Sequence, residues 1–233
     1  MKKTLTLLVF VLASTFAFNV QAQDEASSSF DTGVDIYSSY IWRGAKFGSG
    51  PAFQPWVEFS TGGFALGAWG SVSTGGASGS AAVMIDADGN GYVDIPSAEG
   101  YEMDLYVGYD FGPVSITVTD YYFGGDWTDG DMHFFEPSLG LALGDFGFTA
   151  AYMTGDGIDD TYLEAAYAFS SFDVFLGAGD GQYTADGDFT VCNVGVGTSK
   201  EVKLTESFSL PVSGSVILNP STGGFFITVG LSL

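Results

Sequence analysis

Glu102 and Asp104 stand two residues apart in the stretch Tyr101-Glu102-Met103-Asp104-Leu105-Tyr106-Val107-Gly108-Tyr109-Asp110-Phe111. Its odd positions are all apolar or aromatic, and its even positions carry acids, a phenol and a glycine. An extended chain sends these two sets to opposite faces, so the two carboxylates share one face. The same parity places Glu58, Glu136 and Glu164 on the polar faces of three other alternating segments. Carboxylates collected on one surface favour cations, and a single arginine among them, Arg43, can pair with one of them. Two outcomes are open at this point. The set Arg43, Glu58, Glu102, Asp104, Glu136 and Glu164 can form a cation-selective constriction, or it can form an internal salt-bridge network that fills a closed interior.

A second acidic constellation is Asp86-Ala87-Asp88-Gly89-Asn90-Gly91-Tyr92-Val93-Asp94. It matches the first nine positions of an EF-hand calcium loop: side-chain oxygens of Asp86, Asp88 and Asn90, a glycine at the sixth position, the Tyr92 carbonyl and Asp94. The twelfth position is Ser97 where a bidentate Glu is expected, and Glu99 comes two places late. Alternating segments flank the loop where a true EF-hand has helices. The reading is a possible Ca2+ site, with a solvated Asp/Asn/Gly turn as the plain alternative. Bound calcium would stiffen a surface loop. Enzymatic chemistry has little to work with. His133 is the sole histidine and lies near Asp129 and Asp131, a pattern that a rim or loop histidine also shows. Cys192 has no basic neighbour in sequence to activate it and no partner for a disulfide within the chain. The chain is therefore read as no enzyme, with no cofactor required.

The elements that position these residues are strands. Twelve alternating blocks run along the chain, beginning near residues 34, 53, 64, 101, 114, 135, 146, 163, 172, 189, 208 and 225. Each has about the 9–11 residues that a tilted strand needs to cross a bilayer. The first is read as one strand through Val34, Ile36, Tyr40 and Trp42, with Arg43 at its outer end. Connections alternate in length. Short ones fall at residues 60–63, 110–113, 144–145 and 170–171, with 198–207 an exception. Longer acidic ones fall at 44–50, 73–100, 124–131, 154–160, 179–188 and 219–224. Short turns at one end and long loops at the other are the habit of outer-membrane barrels. A secreted β-sandwich would also give many short strands, but it has no reason to alternate its connections in this way.

The amino terminus supplies the address. Lys2 and Lys3 precede an apolar run over residues 4–18, and Val20-Gln21-Ala22 has the small residues of a cleavage site. This reads as a signal peptide, residues 1–22, cut after Ala22, followed by a single barrel domain over residues 23–233. The apolar run is shorter than the ~20 residues of a spanning helix. Beyond it the basic residues are Arg43, Lys46, Lys200 and Lys203, in a chain with 28 acidic residues and a formal charge of −22. Nucleic acid is excluded as a partner, because no positive surface is available to neutralise phosphates. The 34 glycines and the 16% of aromatic residues suit tilted strands with interfacial aromatic girdles.

Several of these segments resemble the TorF-like porin family of Gram-negative outer membranes, also catalogued as the Gcw_chp family. They are Val34-Asp35-Ile36-Tyr37-Ser38-Ser39-Tyr40-Ile41-Trp42-Arg43-Gly44, Gly50-Pro51-Ala52-Phe53-Gln54-Pro55 leading to Phe64-Ala65-Leu66-Gly67-Ala68-Trp69, and Glu102-Met103-Asp104-Leu105-Tyr106-Val107-Gly108-Tyr109. Tyr162-Leu163-Glu164-Ala165-Ala166-Tyr167 and Val194-Gly195-Val196-Gly197-Thr198-Ser199-Lys200-Glu201 complete them. The aromatic-Arg-Gly segment at residues 40–44 is the most specific. The resemblance implies an outer-membrane barrel named a porin by shape, with no catalytic residues to carry over.

The expectation is an all-β, transmembrane, antiparallel up-and-down barrel of about twelve strands, with short periplasmic turns and long acidic extracellular loops. It would be a monomer in contact with outer-membrane lipid and lipopolysaccharide. It would admit small solutes passively, with a preference for cations. The alternative is a closed barrel serving as a surface-interaction protein whose acidic loops bind divalent cations.

Overall fold

The structure is a computed structural model that describes residues 28–75, 101–206 and 208–233. The expected signal peptide and the expected calcium loop, Asp86, Asp88, Asn90, Tyr92 and Asp94, lie outside the described residues. Fourteen strands run in order among the described residues: β1 Ser28–Tyr37, β2 Tyr40–Trp42, β3 Ala45–Phe47, β4 Ala52–Thr61, β5 Phe64–Ser73, β6 Tyr101–Asp110 and β7 Val114–Tyr122. Then follow β8 His133–Leu143, β9 Phe146–Gly155, β10 Ile158–Ala168, β11 Asp173–Gly179, β12 Thr190–Lys203, β13 Ser209–Asn219 and β14 Gly224–Ser232. Twelve of them close into one barrel, each antiparallel to its neighbours in chain order. Closure is made by β1, which pairs with β14 through Asp35 opposite Ser232 and with β4 through Asp35 opposite Gln54.

Parity decides what each strand shows to either side. On β6, Glu102, Asp104, Tyr106 and Gly108 are buried inside, while Tyr101, Leu105, Val107 and Tyr109 are exposed on the outer surface. The pattern repeats around the wall, with Leu139, Leu176, Val216, Ile227 and Val229 among the exposed outer side chains. Aromatic rings cluster outside at both ends. Tyr109 meets Phe111 and Phe169 meets Phe172 near the short turns, and Tyr122 packs on Trp127 near the loops.

Three expectations about the connections are corrected. Residues 154–160 do not form a long loop: Gly155 pairs with Ile158, and only Asp156 and Gly157 turn the chain, with Gly157 at φ 72°. Two of the acids that suggested a loop find partners that let the strands continue. Asp159 accepts the Tyr152 hydroxyl at 2.8 Å, and Asp160 accepts the Gln182 amide at 3.1 Å. Residues 219–224 likewise close as a compact turn, in which the Asn219 side chain accepts the Ser221 and Thr222 amides at 3.0 and 3.1 Å. The exception at 198–207 shrinks in the opposite sense. β12 runs on to Lys203, which pairs with Ser209, so five residues separate the two strands, against two to four at the companion turns.

The first block is corrected most. β1 stops at Tyr37, and Tyr40 and Trp42 do not continue it toward the outer face. Residues 40–47 form a separate two-stranded hairpin, β2 with β3, outside the ladder of the wall. Tyr40, Ile41 and Trp42 are all buried, at 6%, 2% and 3% exposure. A strand buried on both faces belongs inside the barrel, and the hairpin packs there against side chains from distant strands.

Candidate functional site

The hairpin turns on Arg43 and Gly44, with φ of 49° and 83°. Two successive positive φ values are those of a type I′ turn, whose twist suits a tight hairpin. Glycine takes this conformation freely. Arginine does so at a cost of order 1–3 kcal/mol that the surroundings must offset. Gly44 has a second constraint, since a Cβ there would collide with the Cys192 carbonyl on the wall.

The offset is visible around Arg43. Its two terminal nitrogens donate to the two carboxylate oxygens of Glu136 at 2.5 and 2.8 Å, a bidentate pair. Nη1 also donates to the Tyr183 hydroxyl at 2.6 Å. The guanidinium carbon lies 4.3 Å from the Tyr162 ring centre, 4.6 Å from Trp42 and 5.4 Å from Tyr183. Arg43 is the one basic residue among the described residues that is buried, and Glu136 is buried with it. A planar cation with five fixed donors suits a carboxylate fork below aromatic faces.

The wall residues of this site are placed by strand pairing and parity, and Tyr162 also by a gap in the neighbouring strand. Glu136 faces inward from β8, opposite Thr119 of β7, and Tyr121 of β7 donates to it at 3.3 Å. Tyr162 of β10 lies across Gly177 of β11, where a Cβ would strike its hydroxyl. It donates to Glu164 at 2.5 Å, and Asn193 of β12 donates to both, at 3.0 Å to Tyr162 and 2.9 Å to Glu164. Tyr183 enters from the link between β11 and β12, on a short 3-10 turn over Gly181–Tyr183. That link is tied down where Asp180 accepts the Thr161 amide at 2.5 Å. Asn219 joins the two intruding segments, donating to the Gly44 carbonyl at 3.4 Å and the Tyr183 carbonyl at 3.2 Å.

The other acids named from the sequence sit around this centre. Glu102 is buried and takes a hydrogen bond from Tyr40 of the hairpin. Asp104 is 1% exposed, and its Oδ1 has no hydrogen-bond partner among the described residues. Glu58 lies nearer the short turns and accepts the Tyr106 hydroxyl at 2.9 Å across Gly67, where a Cβ would strike that phenol. The sequence thus brought Arg43, Glu102, Asp104, Glu136 and Glu164 to one end of the interior, with Glu58 deeper. The route for Arg43 was wrong, since it arrives on an inserted hairpin and not at the end of a strand.

Sequence reasoning missed Trp42, Tyr162, Tyr183, Asn193 and Asn219. A signal for Tyr162 was present: a large ring on the same parity as Glu164, the face expected to be polar. Asn193 had none, because β12 carries a bulge against Gly177 and Ala178 that breaks its parity.

His133 is on the opposite surface of the wall. Its Nδ1 meets both Asp120 carboxylate oxygens at 3.0 Å and its Nε2 meets the Trp127 carbonyl at 3.0 Å. The imidazole packs edge-on to Trp127 with ring centres 4.8 Å apart. It clips the β7–β8 connection to the rim, and its acid is Asp120, not Asp129 or Asp131. Cys192 is a free, buried thiol in the wall.

No protein-family model matches the chain, and no curated protein matches it. Solved structures of Rh. blastica porin variants are similar to it over 89% of this chain and 99% of theirs. A five-substitution mutant has 16% identity with a TM-score of 0.41, and a three-substitution mutant has 16% identity with a TM-score of 0.38. A Rhodopseudomonas blastica porin triple mutant has 14% identity and a TM-score of 0.33.

Proposed function

We propose that the chain is an outer-membrane barrel of a Gram-negative bacterium that passes small solutes and prefers cations, with its loop end outside the cell. The observation that carries this reading is the interior charge. Glu58, Glu102, Asp104, Glu136 and Glu164 point inward, and one inserted arginine, Arg43, pairs with Glu136. A low-dielectric wall around an acidic interior concentrates cations and repels anions. The membrane setting is supported by the belt of exposed Leu, Val and Ile side chains bounded by aromatic rings, which would form a large apolar patch in water. The resemblance to the TorF-like porin family agrees with it.

A second reading is favoured by a different observation. Tyr40, Ile41, Trp42 and Arg43 are nearly inaccessible, so the hairpin packs the loop end of the interior as a plug. A permanently plugged barrel would serve as a surface scaffold with acidic loops that bind divalent cations. Recordings in planar bilayers separate the two. Under a salt gradient, wild-type protein and a variant with residues 38–51 replaced by a short Gly/Ser turn are compared. The passage reading expects rare conductance steps in the first, frequent ones in the second, and a cation-selective reversal potential in both. Silence from the shortened variant overturns it in favour of the closed barrel.

A further inference from the structure

We propose that the pocket around Arg43 is a guanidinium-recognition site occupied by the protein's own arginine, and that small solutes bearing a guanidinium group take Arg43's place when the hairpin withdraws. The chemistry is selective for that group. Glu136 presents both oxygens to two nitrogens, at 2.5 and 2.8 Å, a geometry that a planar fork satisfies and a single ammonium does not. Tyr183 accepts a further N–H at 2.6 Å, and the face of Tyr162 lies 4.3 Å from the guanidinium carbon. Three of these partners, Glu136, Tyr162 and Tyr183, belong to the wall and to the β11–β12 link. They stay in place when residues 38–51 leave.

The occupant is held on a short tether. Arg43 sits at the tip of a hairpin bounded by β1 and β4, and a short tether gives an effective concentration of roughly millimolar or more. A free solute at lower concentration loses the competition. At higher concentration it replaces Arg43 and stabilises the withdrawn hairpin. Ligand class and opening are then the same event, because only a group that satisfies Glu136 leaves no buried charge unpaired.

This inference deepens the passage reading and rests on it for the hairpin's withdrawal, but its binding readout is independent of current. Full-length Arg43→Ala protein in detergent is titrated with methylguanidinium, and separately with methylammonium, while the thermal midpoint is followed. The same variant is recorded in bilayers with each probe on the loop side. Methylguanidinium is expected to raise the midpoint and the frequency of conductance steps at concentrations at least about tenfold below those of methylammonium. Adding Glu136→Gln is expected to erase the difference, and wild type is expected to respond to neither probe in that range. Equal responses to the two probes, or a methylguanidinium response that survives Glu136→Gln, overturns the proposal. A current without a selective midpoint shift removes the site and keeps the passage. A selective shift without current removes the passage and keeps the site. Should Arg43→Ala fail to fold, the variant shortened at residues 38–51 supplies the same titration, because Glu136, Tyr162 and Tyr183 lie outside the replaced segment.

Discussion

Along β7 to β10 the two ends of the barrel interior are built from the same strands and the same inward parity, yet one is packed and the other is lined with small groups. Toward the loops the inward residues are Tyr121, Phe134, Met153 and Tyr162, all buried, and they close on Trp42 and Tyr183. Toward the short turns the same strands present Ser115, Ser138, Gly140, Gly147, Thr149 and Ala168, which are only half-buried. Strand number sets the diameter of a barrel, and for twelve strands that leaves both a filled and an open interior available. Here the choice is made locally, by the volume of every second side chain. The difference teaches that the loop end should react to core mutations as a protein interior does, and the turn end as a surface does.

The sharpest way to break that contrast is at the buried ion pair. Glu136→Gln keeps the shape but leaves Arg43 buried without its counter-charge. A loss of about 3–5 kcal/mol is expected in urea or thermal unfolding of the detergent-solubilised protein. A smaller disturbance comes from filling a gap in the wall. Gly177→Ala puts a methyl group against the Tyr162 hydroxyl and the Asn193 side chain. It should cost about 1–3 kcal/mol by overpacking. The turn end should tolerate far larger additions. Around Gly147 a Cβ meets nothing within 4 Å, so Gly147→Tyr is expected to change stability by no more than about 0.5 kcal/mol. In the variant shortened at residues 38–51, the same substitution should lower the conductance, which separates lining from packing.

The smallest effect lies outside the wall altogether. On the β7–β8 connection the Thr128 amide, and then the Thr128 hydroxyl, hold the Asp126 carboxylate below its usual range, from 2.9 and 2.8 Å. A depressed carboxylate contributes stability that is present above its unfolded value and lost as pH falls through its folded one. An NMR titration should place the Asp126 midpoint below that of an ordinary aspartate, and Thr128→Ala should bring it part of the way back. The connection should loosen on acidification while the barrel wall does not.

The wall was legible because its physics is periodic. Tyr101 to Phe111 alternates without interruption, and the structure sends Glu102 and Asp104 inward and Leu105 and Val107 outward as that period requires. The hairpin was not legible because lipid and a packed lumen ask for the same residue types. Tyr40 and Trp42 fitted the outward parity of a strand, and only Ile41 between them, leaving no polar face, hinted at burial on both sides. The Arg43-Gly44 pair then reads as a hairpin turn, but only once β1 is known to stop at Tyr37. Contacts such as Arg43 with Tyr183, or Asn219 with Gly44, join residues more than a hundred positions apart and carry no local pattern.

The pairing of β1 with β14 also sets an order of events during folding. Asp35 meets Ser232 only after nearly the whole chain has been laid into the sheet, so closure carries the longest loop-entropy cost in the molecule. Arg43's pocket draws on β8, β10 and the β11–β12 link, and none of these surrounds anything until the cylinder shuts. The hairpin is therefore expected to be a late arrival, docking into a chamber that the last strand pairing completes.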